Sequence, residues 1–139
     1  MKVKDIMTRQ VVGVQNHETV AVAARTMEQY NIGAMPVYGL GGAVCGMITD
    51  RDLVTRCLAA NRDPGKTTVG QIMTNRLEAV TPETEVSAAA RLMAQKQVRR
   101  LPVVEDGKLC GMVSLKDLAV RQETAVQAAE TLIKISGNF

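Results

Sequence analysis

Aromatic residues are nearly absent from this 139-residue chain, which has no tryptophan, one phenylalanine and two tyrosines. A surface on which nucleic-acid bases stack needs such rings. The net charge of +3 is small, and no block of like charges occurs, so the composition argues against a nucleic-acid-binding protein. Hydrophobic residues make up 46% of the chain, and we expect a core of aliphatic side chains and methionine.

Long apolar segments are also missing. No stretch approaches the roughly 20 apolar residues of a membrane span, and the start of the chain lacks the apolar run of a signal peptide. The odd count of three cysteines agrees with a reducing compartment. We therefore expect a cytoplasmic protein with no membrane association. Cys45 and Cys110 precede equivalent glycines and are interpreted as small core residues.

Sets of residues typical of catalytic sites are not found either. The single histidine, His17, precedes a predicted helix, where a solvated loop residue is the ordinary interpretation. No Cys–His pair or Ser–His–Asp set is evident, and the cysteine spacing matches no zinc pattern. No glycine-rich phosphate loop occurs. We expect a protein without enzymatic activity, metal or resident cofactor.

The chain does contain an internal repeat. Three stretches occur twice, at an offset of 65 or 66 residues: "DIMT" (5–8) and "QIMT" (71–74), "AARTMEQ" (23–29) and "AARLMAQ" (89–95), "GMITDRDL" (46–53) and "GMVSLKDL" (111–118). Each copy has roughly 60 residues, and so small a unit buries little apolar surface alone. Two copies that share a core are the usual solution for a tandem repeat.

Each copy has the pattern strand, helix, strand, strand, helix. In the first copy we expect strands at 11–14, 34–38 and 43–49, and helices at 19–30 and from Asp50. In the second copy we expect strands at 77–80, 100–104 and 108–114, and helices at 85–96 and from Leu115. Four apolar residues of helix 85–96 lie at helical spacing, namely Val86, Ala89, Ala90 and Met93. Thr84 is the predicted N-cap of that helix.

Pro64 and Gly65 mark a linker between the copies. The predicted organisation is a first unit at 1–62, a linker at 63–66, a second unit at 67–124 and a helical tail at 125–139. In the tail, Val126, Ala129 and Ile133 share one face of an amphipathic helix.

The order of elements, the "MPV" and "LPV" strands, and the repeated Gly-x-x-Ser/Thr-x-x-Asp stretch resemble the CBS domain. Two such units in tandem resemble the CBS pair, or Bateman module, over 3–57 and 69–122. The resemblance implies an α/β (α+β) fold of two β-α-β-β-α units related by a pseudo-twofold axis, with small sheets packed with helices. It also implies a regulatory module that binds an adenosine-containing ligand, such as AMP, ADP, ATP or S-adenosylmethionine, in the cleft between the units. A ligand-free dimerisation or protein-docking module is the alternative.

The repeated Ser/Thr-x-x-Asp motif allows two interpretations. A hydroxyl and an acid three residues apart form a capping box at a helix start. The same hydroxyl, with helix N–H groups and a cation, also suits a phosphate, and an ionised acid suits ribose hydroxyls. The residues concerned are Thr49, Arg51 and Asp52 in the first copy and Ser114, Lys116 and Asp117 in the second.

The resemblance implies further ligand contacts. Residues before "PV" are expected near the base, namely Ile32, Gly33, Ala34, Val98, Arg99 and Arg100. Two strand residues, Val12 and Glu78, are expected to contact the base through their backbones. Arg99 and Arg100 could face phosphates or be ordinary solvated surface. Glu78 departs from the pattern, because a carboxylate repels phosphate unless it faces away.

We expect the two half-sites to be unequal. Asp52 is predicted in the stronger one, because Arg51 is beside it and Arg99 and Arg100 are expected across the cleft. A homodimer is also predicted, through the second helix of each copy, whose apolar residues are Leu53, Val54 and Cys57, and Leu118 and Val120. Any regulated partner is expected to be a separate protein.

Overall fold

The computed structural model describes residues 1–137, which form two compact units. The central unit consists of Val11–Leu77, and the terminal unit consists of Met1–Gln10 together with the chain from Glu78 onward. The predicted boundary at 63–66 follows the repeat along the sequence, whereas the compact units divide near residues 10 and 77. The opening segment of each copy therefore belongs to the unit built from the rest of the other copy. Residues 138–139 of the predicted tail lie outside the described residues.

The central unit is a three-stranded sheet with helices. Its strands are β1 (Val14–Gln15), β2 (Ala34–Tyr38) and β3 (Val44–Thr49), and its helices are α1 (Val20–Tyr30), α2 (Asp50–Asp52) and α3 (Val69–Ile72). A π-helix at Leu53–Leu58 continues α2. β2 is parallel to β1 and antiparallel to β3. Thr19 caps α1, because its hydroxyl accepts the N–H of Val22 at 3.3 Å, and Met27 of α1 packs in one core with Ile48 of β3.

The terminal unit contains a two-stranded hairpin and three α-helices. Its strands are β4 (Arg100–Glu105) and β5 (Lys108–Ser114), and its helices are α4 (Val86–Lys96), α5 (Leu115–Ala119) and α6 (Ala125–Ser136). The hairpin turns at Asp106 and Gly107, whose φ angles are 54° and 76°. Asp-Gly suits a turn that requires two positive φ angles. The predicted apolar stripe of α4 is buried, as expected.

The opening segment Met1–Gln10 is attached to the terminal unit by backbone and side-chain contacts. Thr8 and Met112 exchange two hydrogen bonds of 2.8 and 2.9 Å, and Val3 is fully buried. Lys2 lies 2.8 Å from Glu85, and this hydrogen bond lowers the pKa of the Glu85 carboxyl. In the central unit, Met47 and Thr74 exchange two equivalent hydrogen bonds of 2.9 Å.

The first strand of each copy is shorter than predicted. The strand expected at 11–14 forms only at Val14–Gln15, and the strand expected at 77–80 is reduced to a single parallel bridge between Val80 and Val103. A strand needs several successive residues that are hydrogen-bonded to a neighbouring strand. In this segment Val80 forms such bonds, with the carbonyl of Pro102 and the N–H of Val104, and its neighbours do not extend the ladder.

The N-cap of α4 also differs from the prediction. Glu85 is the N-cap, without a side-chain cap hydrogen bond. The hydroxyl of Thr84 instead accepts the N–H of Thr81 at 3.0 Å. A threonine hydroxyl that closes a local turn of this kind is no longer available to the helix.

The segments that follow β3 and β5 bury two of the five residues expected to form a dimer face. Cys57 is 2% exposed and Leu118 is fully buried, so both contribute to the cores of their own units. Of the five predicted interface residues, only Val54 and Val120 have exposed side chains, and Leu53 is partly buried. The predicted dimer face is therefore wrong for Cys57 and Leu118.

The predicted mixed α and β fold is confirmed, with two small sheets and their helices. Within residues 1–137, none of the helices combines the length and the apolar character that crossing a bilayer requires.

Candidate functional site

The turn at the start of α2 forms the predicted capping box. The N–H of Thr49 donates to Oδ2 of Asp52 at 3.0 Å, and the N–H of Asp52 donates to the Thr49 hydroxyl at 3.1 Å. Asp52 is only 7% exposed, whereas Arg51 is exposed. The capping interpretation is therefore confirmed for the first copy, and it occupies one oxygen of the Asp52 carboxylate.

Arg56 lies on the other side of that carboxylate, a contact that was not predicted from the sequence. Its Nε lies 3.7 Å from Oδ1 of Asp52, and its Nη1 donates to the carbonyl of Ile72 at 3.0 Å. An acid and an arginine four residues apart on a helix are neighbours, so the spacing of Asp52 and Arg56 in the sequence could have predicted this contact. Asp52 is thus held by both the cap and a guanidinium.

The turn at the start of α5 forms the second capping box. The N–H of Ser114 donates to Oδ2 of Asp117 at 2.8 Å, and the N–H of Asp117 donates to the Ser114 hydroxyl at 3.2 Å. The Ser114 hydroxyl also donates to the same oxygen at 3.0 Å. Within residues 1–137, Oδ1 of Asp117 accepts no hydrogen bond from a side chain or a backbone N–H.

A groove of about 720 Å³ adjoins this second turn. Its polar lining consists of Arg99, Arg100, Ser114 and Lys116, and its apolar lining consists of Leu115, Ala119, Ala125, Ala128, Ala129 and Leu132. The three cationic side chains form no salt bridge within the described part of the chain. Asp117 does not itself line the groove, but it is hydrogen-bonded to Ser114, which does. The groove therefore combines unneutralised positive charge with a wall of small apolar residues.

Sheet pairing explains why the two arginines lie beside the second turn. Arg100 on β4 is paired with Ser114 on β5, and the carbonyl of Arg99 accepts the N–H of Leu115 at 2.8 Å. Arg99 and Arg100 therefore lie beside the Ser114 turn of their own copy.

The central unit has the same backbone arrangement with different side chains. Ala34 is paired with Thr49, and the carbonyl of Gly33 accepts the N–H of Asp50 at 2.9 Å. A Cβ at Gly33 would lie 2.9 Å from Oδ2 of Asp50. The Asp50 carboxylate therefore lies beside the position at which the second copy carries Arg99.

The other predicted site residues have mostly structural contacts. Val12 and Ile32 pack on the core of the central unit, and Val98 packs on the core of the terminal unit. Glu78 lies 3.4 Å from the ammonium of Lys96, which reduces the repulsion that a lone carboxylate would exert on a phosphate.

Among residues 1–137, no three His, Cys, Asp or Glu side chains lie close enough together to hold a metal ion. His17 is exposed in the turn before α1. Cys45 and Cys110 are partly buried against the two cores, in agreement with their interpretation as packing residues.

Known proteins resemble this chain over most of its length. The CBS domain-containing protein YhcV of Bacillus subtilis is 44% identical, over 96% of this chain and 94% of its own. A structure of Hypoxic Response Protein I with two coordinated zinc ions has a TM-score of 0.79 and 36% identity, over 86% of this chain and 97% of that protein. The CBS domain pair of MJ0100, in complex with 5'-methylthioadenosine and S-adenosyl-L-methionine, has a TM-score of 0.76 and 27% identity, over 86% and 93%.

The family model for the CBS domain matches residues 3–59 and again residues 69–124. These two matches coincide with the two copies of the repeat and include both capping boxes. The chain therefore belongs to the CBS domain family and carries two CBS domains in tandem.

Proposed function

We propose that this CBS pair is a regulatory, non-catalytic module that binds a phosphate-bearing adenosine ligand at the groove of the terminal unit. The observation that carries the proposal is the set of three cations, Arg99, Arg100 and Lys116, that line the groove without forming salt bridges within residues 1–137. Cationic groups of this kind form short, strong hydrogen bonds with phosphate oxygens. Ser114 adds a hydroxyl that can rotate from Asp117 to a phosphate.

The apolar wall suits the base and sugar of a nucleoside. Four alanines and two leucines line it, and small side chains leave room for a flat ring without an aromatic stacking partner. The groove volume of about 720 Å³ falls within the range of roughly 300–1,000 Å³ that small-molecule sites occupy.

Charge separates the candidate ligands. MJ0100 was crystallised with S-adenosyl-L-methionine, whose sulfonium is positive and would be repelled by three cations. A ligand with two or three phosphates gains the most from the same cations. We expect affinity to rise from adenosine through AMP to ADP and ATP, with S-adenosylmethionine among the weak ligands.

A thermal-shift series tests this proposal. Ligand at 100 times its Kd stabilises the native state by about 2.7 kcal/mol, which raises the melting temperature of a chain this size by roughly 5–10 °C. With every ligand at the same concentration, we expect such a shift with ADP or ATP, a smaller one with adenosine, and little with S-adenosylmethionine. Inorganic pyrophosphate is the control for charge alone. The absence of a shift with every phosphorylated adenosine compound would contradict the proposal.

A second candidate function is self-association, and the exposed face of α6 favours it. Val126 and Ile133, one face of the predicted tail helix, are 70% and 68% exposed, whereas the same helix buries Ala128 and Thr131. An exposed apolar stripe on a helix commonly marks an interface. A second copy of this chain is the simplest partner, because a twofold contact uses the same stripe twice.

The substitutions Val126→Ser and Ile133→Ser together are expected to convert a dimer into a monomer. Both side chains are exposed in the single chain, so the monomeric variant should have the same melting temperature as a monomer of the unaltered protein. Leu40→Ser removes a fully exposed leucine from a turn and should leave the mass unchanged. Light scattering at micromolar concentration measures the outcome, and an unaltered protein that is already monomeric would exclude the dimer.

A further inference from the structure

We infer that the two half-sites are not equivalent. The Ser114–Asp117 half-site binds the ligand, whereas Asp50 and Arg56 reduce the Thr49–Asp52 half-site to a structural turn. This inference rests on the proposed function and specifies which half of the module performs it. It also reverses the order predicted from the sequence, in which Asp52 was expected in the stronger half-site.

The first reason is the charge of equivalent positions. The first copy carries Gly33, Ala34, Asp50, Arg51 and Asp52, with a net charge of −1, where the second carries Arg99, Arg100, Leu115, Lys116 and Asp117, with a net charge of +2. Arg56 and Arg121 add one cation to each copy, so the difference of three charges remains. A phosphate is therefore attracted to one turn and not to the other.

Asp50 also places a negative charge at this position. Its Oδ1 accepts the N–H of Arg51 at 2.8 Å, and its Oδ2 lies 2.9 Å from where a Cβ at Gly33 would be. The carboxylate thus lies beside Gly33, the position at which the second copy carries Arg99.

The second reason is the state of the two motif carboxylates. Asp52 is 7% exposed, with Oδ2 in the cap and Oδ1 facing Arg56. Asp117 is more exposed than Asp52, and its repeat-equivalent arginine, Arg121, forms no salt bridge within the part of the chain described. Oδ1 of Asp117 therefore accepts no hydrogen bond among residues 1–137 and lies on a residue bonded to Ser114, which lines the groove, whereas Oδ1 of Asp52 faces a guanidinium.

The helical geometry accounts for this difference between the copies. After Asp52 the chain continues as the π-helix Leu53–Leu58, so Arg56 lies on the same helix and reaches back. After Asp117 the helix α5 ends at Ala119, and Arg121 lies beyond its end. The equivalent arginines Arg56 and Arg121 therefore differ in position, because the helix continues past Arg56 but ends before Arg121.

Calorimetric titration of ADP into the full chain tests the inference with Asp→Asn variants. Asparagine keeps an oxygen for the cap but loses the acceptor for the ribose. We expect one ADP per unaltered chain, a loss of affinity of about 10- to 150-fold for Asp117→Asn, and less than a twofold change for Asp52→Asn. Arg56→Gln is expected to lower the melting temperature and leave the affinity unchanged. Its repeat-equivalent control, Arg121→Gln, should change neither.

The outcomes distinguish the inference from the proposed function. Two ADP per unaltered chain, or a tenfold loss with Asp52→Asn, would overturn the inference while leaving nucleotide binding intact. Equal affinity of the Asp117→Asn and unaltered proteins would also overturn it. No binding of ADP to the unaltered protein would overturn the proposed function and the inference together.

Discussion

The double substitution Arg99→Gln and Arg100→Gln is expected to weaken ADP binding by about 100-fold or more. A hydrogen bond to a charged group contributes about 1.5–3 kcal/mol, and each such loss is roughly a 10- to 150-fold change in affinity. Both side chains are exposed and form no salt bridge among residues 1–137. The melting temperature without ligand should therefore stay nearly constant, since such surface changes stay within about 0.5 kcal/mol.

Lys108→Gln is the matched control for this experiment. Lys108 is an exposed cation on β5 of the same unit, and it does not line the groove. Its removal should leave the ADP affinity within about twofold, because distant exposed charges are screened by salt. Adenosine, which lacks phosphate, should bind the double variant as it binds the unaltered protein. Equal ADP affinity of the double variant and the Lys108 variant would contradict the assignment of the arginines to phosphate.

Gly111→Ala is expected to cause a large loss of stability. A Cβ there would lie 2.5 Å from the carbonyl oxygen of Thr8, a contact that backbone movement alone can relieve. That movement weakens the two hydrogen bonds between Thr8 and Met112. Overpacking costs about 1–3 kcal/mol, and with weakened hydrogen bonds we expect a total of about 2–4 kcal/mol, or a melting temperature lower by roughly 10 °C.

Gly65→Ala provides the comparison for Gly111→Ala. A Cβ at Gly65 would meet only the Asp63 side chain, at 3.3 Å, and a flexible side chain can move aside. The control should melt within the range of an ordinary surface substitution, about 0.5 kcal/mol. Gly46→Ala should behave like Gly111→Ala, since its Cβ would lie 2.6 Å from the carbonyl oxygen of Thr74. Identical melting of the Gly111 and Gly65 variants would exclude a role of this close approach in stability.

Local features were predictable from the sequence because they depend on neighbours along the chain. The buried stripe of α4, the starts of the helices at Asp50 and Leu115, and the hairpin turn before Lys108 all follow from spacing and turn chemistry. Both capping boxes are likewise set by residues three positions apart. The repeat then extended these predictions from one copy to the other.

Long-range features were not predictable in the same way. The segments "DIMT" and "QIMT" look alike, and nothing in their residues indicates that each pairs with the strand of the other copy. Cys57 and Leu118 belong to an apolar pattern that fits either a core or an interface. Their burial in the cores is determined by tertiary packing, which the pattern does not specify. The contact between Asp52 and Arg56 needed a helix that continues past Leu53, which the repeat gave no reason to expect in one copy alone.

A residue-resolved NMR titration of the full chain with ADP tests the central claim most directly. The backbone N–H signals of Arg99, Arg100 and Ser114–Lys116, together with those of the alanines of α6 that line the groove, should shift and saturate together. The signals of Thr49–Asp52 should stay nearly unchanged at the same ADP concentration. Shifts centred on Thr49–Asp52, or no saturable shifts in either turn, would contradict a nucleotide site at the groove of the terminal unit.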